Sequence, residues 1–143
     1  MEDYQSAFLQ RHTDTEILCD SARKIAAMHF GGCTIECLLK SMILASLPKG
    51  VEREWKTNSN NPGHAITNPG HSFQDAIKRH NRLSSRIDKF PIVRSWIEIV
   101  ENPDIHFIDI RYSGDEPSSL DYKKWLSAYK SLKGWLQKQA TQL

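Results

Sequence analysis

Residues 25–44 are the most apolar stretch of the chain, yet His29, Cys33, Glu36 and Lys40 fall inside it at spacings of four, three and four. On an α-helix those spacings stack the four side chains along one stripe. The rest of the circumference is apolar: Ile25, Met28, Ile35, Leu38, Leu39, Met42 and Ile43. Such a helix is buried on most sides, so its polar stripe must meet a polar partner, a cleft or a narrow band of solvent. Glu36 and Lys40 stand four apart in the favourable order, worth about 0.2–0.5 kcal/mol if exposed. Buried, the pair needs further partners to offset desolvation. Arg111, flanked by Ile110 and Tyr112, is the candidate partner for the glutamate. Gly31-Gly32 in mid-helix costs about 1 kcal/mol per glycine relative to alanine. The expected return is the close approach of another backbone, from a neighbouring helix or from the same helix in a second subunit.

The remaining pattern predicts an all-α protein, an antiparallel up-and-down bundle of about five helices. Tyr4 to Gln10 suits a short helix or the first turns of a longer one. Thr13 with Glu16 three residues on has the form of a capping box. The pattern admits a break or kink near Asp20–Ser21, and one long helix is expected from Ser21 to about Leu47, stopped by Pro48 and Gly50. "HSFQDAIKRHNRLSSRI" (71–87) reads as a third helix and "PIVRSWIEIVEN" (91–102) as a fourth opened by Pro91. Residues 103–112, with "DIHFIDIRY" at their core, fit extended structure or a short helix equally. Ser118 or Ser119 is the next N-cap, and the last helix runs to about Gln139 with a broad apolar stripe. Residues 48–70 are a Pro/Gly/Asn-rich loop in which Asn-Pro-Gly-His occurs twice, at 61–64 and 68–71. Pro followed by Gly suits successive turns.

At 143 residues the chain is one domain, 1–143, large enough for a core without disulfide staples. Three cysteines, an odd number without framework spacing, predict a reducing, cytoplasmic setting. The start "MEDYQSAFLQ" has neither the basic residues nor the apolar run of a signal peptide. A membrane span over 25–47 would place Glu36 and Lys40 near its middle, at about 2.5–3.5 kcal/mol each. No membrane association is expected. Net charge is only +2, but six Lys/Arg against Asp88 fall between Lys78 and Arg94, and seven acids against Arg111 between Glu98 and Asp121. Such segregation marks either an anion-binding face, with Lys78, Arg79, Arg82 and Arg86 as candidate nucleic-acid contacts, or two solvated faces that match within the molecule. No metal or other cofactor is expected. His29, Cys33 and Cys37 spread over about 12 Å of helix, too far for one zinc ion. The two short NPGH turns do not fix their histidines convergently.

"SARKIAAMHFGGCTIECLLKSMIL" resembles the helical signature of HEPN domains, in which a small-residue turn precedes a Glu, followed four residues later by Lys. Here these are Gly32, Glu36, Leu39 and Lys40. "GHSFQDAI" resembles the start of that family's third helix, with His71 before Phe73 and Ile77. "FIDIRYSG" resembles its Arg-Tyr segment before the last helix, with Arg111 and Tyr112. Trp135-Leu136 fits the family's closing Trp-Leu, so the resemblance spans roughly residues 13–138.

What the resemblance implies is a dimeric helical module, often a metal-independent ribonuclease of toxin–antitoxin or defence systems, found beside a small nucleotidyltransferase. Other members bind nucleotides or act as non-catalytic partners. The family's ribonuclease motif is an Arg followed after four to six residues by a His. In this chain no His follows Arg111. Arg23 and His29 have the spacing but lie on another helix, on opposite sides of it. The expectation is therefore a non-catalytic homodimer binding a partner protein or an RNA or nucleotide phosphate, in a cleft of His29, Glu36, Lys40, His71, Arg111 and Tyr112. The alternative is a ribonuclease with an altered site, in which Arg111 stabilises phosphorane charge and His71, His80 or His106 moves the proton. His71 is the first choice.

Overall fold

The computed structural model describes residues 3–47, 55–56, 66–67 and 70–142. Among these, six α-helices form an all-α bundle: α1 (Tyr4–Asp20), α2 (Lys24–Ala45), α3 (Phe73–Ile77), α4 (Asn81–Asp88), α5 (Pro91–Glu101) and α6 (Ser119–Ala140). A 3-10 turn, Ile110–Tyr112, lies between α5 and α6. Trp55–Lys56 and Ile66–Thr67 make a two-residue parallel ladder. The rest of residues 48–69, with the first NPGH repeat and Asn68-Pro69 of the second, lies outside the described residues. Among the described residues no helix is long and apolar enough to cross a membrane.

α1 starts where Asp3 caps it, its carboxylate accepting the Ser6 N–H at 3.0 Å. Thr13 is no cap. It sits inside α1 with its hydroxyl donating to the Leu9 carbonyl, because the helix begun at Asp3 simply runs through it. The break between α1 and α2 falls after Asp20. Arg23 N–H reaches back to Leu18 O and Ala22 N–H to Cys19 O, with Ala22 at φ 55°. This is a Schellman end, in which the left-handed position usually belongs to glycine.

α2 is the buried axis, with thirteen of its residues enclosed between Ala27 and Leu44. α1 and α6 pack against it, as do the shorter elements on its other sides. The glycine pair is filled from within the chain and not by a second backbone. A Cβ on Gly31 would lie 2.5 Å from the Trp125 ring of α6, and one on Gly32 would collide with the Phe107 ring. Those two aromatics are 1% and 0% exposed, so the glycines exist to admit them.

The third predicted helix is two. Arg79 and His80 N–H groups bond back three residues, to Ala76 and Ile77, tightening the chain out of the helix. His80 then leaves helical geometry and caps α4, its Nδ1 accepting the Leu83 N–H at 3.2 Å. The apolar side is kept across the break through Phe73, Ile77, Leu83 and Ile87, all buried. Pro91 opens α5, and Ser118 caps α6 by accepting the Asp121 N–H at 3.1 Å.

Candidate functional site

The polar stripe of α2 faces the segment that runs into α3 and the connection between α5 and α6. His29 Nδ1 bonds the Phe107 carbonyl at 2.9 Å, and its Nε2 is 4.0 Å from the Cys33 sulfur. A carbonyl only accepts, so the His29 proton sits on Nδ1. Cys33 is largely enclosed. Burial first, and the Glu36 charge after it, push its thiol up to about 12. At neutral pH it is a thiol and not a thiolate nucleophile.

Glu36 is the hub. Its Oε1 accepts from His71 Nδ1 at 2.6 Å, and its Oε2 accepts from Lys40 Nζ at 3.4 Å. The Lys40 side chain is 4% exposed; its remaining neighbour is the Tyr4 ring, 5.3 Å from Nζ. The partner expected for Glu36 was Arg111, and here the arrangement differs. Arg111 is exposed, lies 4.8 Å from the centre of the Tyr112 ring, and has no carboxylate within ion-pair distance among the described residues. Ile110 is the residue of that turn that anchors in the core, at 4% exposed, which leaves its neighbour Arg111 pointing outward. The guanidinium is nonetheless close enough to the stripe to act electrostatically on Cys33, as is Arg11 from α1.

His71 is fixed twice. Its side chain is half exposed, with Nδ1–H donated to Glu36; Nε2 has no partner among the described residues. Its backbone carbonyl accepts from His106 Nε2 at 3.0 Å. The tautomer of His106 follows from its other nitrogen, which accepts the Ile108 N–H at 3.2 Å. Behind both, Glu101 is 4% exposed and accepts the Phe73 N–H on Oε2 at 2.9 Å. His106 Nε2 is 3.6 Å from that same oxygen, whereas Glu101 Oε1 is buried without a partner among the described residues. Desolvation raises the Glu101 carboxyl above its ordinary value, against the opposing Phe73 hydrogen bond and the His106 charge.

Of the cleft residues read from the sequence, His71 and Lys40 both reach Glu36, His29 lies further along the stripe beside Cys33, and Arg111 and Tyr112 are exposed. Sequence reasoning missed Glu101 and His106 as the clamp on His71. A signal was present: Val93, Ile97 and Glu101 recur at four-residue spacing, which puts the acid on the buried face of α5. The basic segment is divided between two helices. Arg86 is spent on α6, donating to Gln139 at 2.6 Å. Lys78 is 3.9 Å from Asp75, and Arg79 donates to the Asp75 carbonyl. Arg82 has no partner among the described residues. Among those residues no group of three or more His, Cys, Asp and Glu is placed to hold a metal ion. Compared with family models, with curated proteins and with solved structures, the chain finds no match.

Proposed function

We propose that this chain is a helical module similar to HEPN domains that binds the phosphate of RNA or of a nucleotide at the mouth of the α2 stripe. The observation that carries this reading is an oriented His71, whose Nε2 has no partner among the described residues, together with an exposed Arg111 that has no ion-pair partner among them and acts electrostatically on Cys33 of the same stripe. A guanidinium suits phosphate through paired N–H donors, and an imidazolium adds a further charge-assisted bond. Tyr112, 77% exposed beside Arg111, offers an aromatic face on which a base can stack. A homodimer of this module would use a face other than the glycine pair, which Trp125 and Phe107 fill. The test is fluorescence anisotropy with a short single-stranded RNA at several salt concentrations. Affinity should fall steeply with salt, and Arg111→Ala should lower the slope by about 0.7 for each phosphate that is no longer neutralised. Salt-indifferent binding, or none by the folded protein, would remove the proposal.

A second reading, metal-independent RNA cleavage, is favoured by one distance. The 2.6 Å bond from His71 Nδ1 to Glu36 fixes the ring and its tautomer, as a carboxylate does for the histidine of a general-base dyad. Its Nε2 would take the 2′-hydroxyl proton as the 2′-oxygen bonds to phosphorus, and the 5′-oxygen would leave with that proton returned from the ring, giving a 2′,3′-cyclic phosphate, while Arg111 stabilises the charge on the phosphorane oxygens. Incubation of RNA with the purified protein in chelator tests it: cleavage abolished by His71→Ala supports the reading, and intact RNA in the wild type removes it.

A further inference from the structure

A second concavity lies apart from the stripe and shares no residue with it. It is a partly open cavity of about 780 Å³ between α1, the C-terminal half of α2, the start of α4 and the last turns of α6. That volume is within the range of small-molecule sites, about 300–1,000 Å³. Its floor is apolar, built from Phe8, Leu38 and Met42, each 5–6% exposed. Its polar end is where α4 begins, and there three kinds of donor converge.

The first is His80. It is 6% exposed and lines the cavity. Nδ1 accepts the Leu83 N–H, so in the neutral ring the proton sits on Nε2, which has no partner among the described residues. Burial, followed by the Arg82 charge, lowers this histidine's pKa and favours that neutral ring. The second donor is Arg82, exposed on the cavity rim and without an ion-pair partner among the described residues. The third is the first turn of α4 itself, whose leading amides have no carbonyl four residues back and carry the positive end of the helix dipole. A buried N–H donor without an acceptor is costly, and His80, whose Nε2–H has no partner among the described residues, lines the cavity. Among the described residues the lining carries no Asp or Glu, and none of them there neutralises the cation or repels an anion.

We infer that this cavity binds a small amphipathic carboxylate, with its head on His80 Nε2–H and Arg82 and its hydrocarbon body on Phe8, Leu38 and Met42. A carboxylate is the head group of choice because it presents two coplanar oxygens to the planar guanidinium fork and can share one with the imidazole N–H. An aliphatic body matches a floor made of a phenyl ring, a leucine and a methionine, which adapts to irregular shapes.

The experiment is an NMR titration of the whole chain with octanoate, and in parallel with octanol, which keeps the tail and loses the charge. Octanoate should bind saturably and move the Met42 methyl and His80 ring signals, with octanol weaker by about tenfold. Arg82→Ala and His80→Asn should each weaken octanoate by about tenfold. Asparagine keeps an N-cap acceptor for α4 and lacks the ring N–H, and Arg82 is exposed, so a folded variant is available for the test. Ala45→Trp, on the exposed edge of the cavity, should block binding. The inference is overturned if folded wild-type protein shows no saturable octanoate binding, if octanol binds as well, or if Arg82→Ala binds like the wild type.

Discussion

Lys40 shows most directly how one residue ties the site to the stability of the fold. Its ammonium is buried, and Glu36 is its ionic partner among the described residues. Removing Glu36 therefore strands a buried charge, whereas replacing Lys40 by an apolar chain of similar length strands nothing but a partly accessible carboxylate that retains His71. Glu36→Ala is predicted to cost about 3 kcal/mol and Lys40→Met less than about 1 kcal/mol, read from urea unfolding midpoints with equal slopes. The cation stranded is Lys40, and not the Arg111 that the sequence offers as the glutamate's partner. The glycines give a second contrast. Gly32→Ala should lower stability by about 2 kcal/mol, because a methyl there must displace the fully buried Phe107 ring. Gly134→Ala meets nothing within 4 Å and should raise stability by about 0.5–1 kcal/mol through helix propensity alone. Opposite signs for two Gly→Ala changes in helices would confirm that space, not flexibility, explains the buried pair.

At the scale of elements, the helices that follow a strong apolar period or begin at a proline or serine were legible: α2, α5 and α6. The break between α1 and α2 was open in the sequence as a kink near Asp20–Ser21, whereas the one between α3 and α4 was not foreseen. Between α1 and α2 the left-handed position is Ala22 where glycine is the common choice, so no glycine marks the site. Ala22→Gly is predicted to stabilise the protein by about 1 kcal/mol, the penalty of a Cβ in that region, measurable as a raised unfolding midpoint. Between α3 and α4 the stop is made by a histidine serving as N-cap, a role that composition does not announce. The clamp on His71 was illegible for a similar reason: Glu101, His106 and Phe73 meet only when α5 has folded back beside α3. Its carboxyl is predicted to leave a pH signature. Since burial raises the Glu101 pKa, the folded chain holds that proton more tightly than the unfolded one. The stability this group contributes is lost as pH rises through the raised value and fully present below its ordinary 4.5. The stability difference between wild type and Glu101→Gln should therefore shift in favour of wild type on acidification towards that value. A pH-independent difference would mean that Glu101 titrates normally.

For the whole molecule, the bundle holds a rigid apolar axis, α2, and sets one polar line along it against a turn that carries Arg111. Fold class and the polar line follow from periodicity, since a stripe of four ionisable or thiol groups on an otherwise apolar helix admits few arrangements. Which groups pair across the line depends on where residues 71–73 and 106–112 come to rest, and no local pattern encodes that. The outcome divides labour: Glu36, Lys40, Glu101 and His106 are internal and hold position, and His71, Arg111 and Tyr112 reach the surface. Phosphate binding at the stripe requires that those three meet the ligand together. A histidine-ring ¹⁵N NMR titration with uridine 3′-monophosphate, following all six imidazoles, decides whether they do. His71 Nε2 should shift in a saturable, salt-sensitive manner, His106 and His29 should follow weakly, and Arg111→Ala should lower the affinity. A nucleotide that leaves His71 unmoved at saturating concentration in the folded protein would contradict phosphate binding at this site.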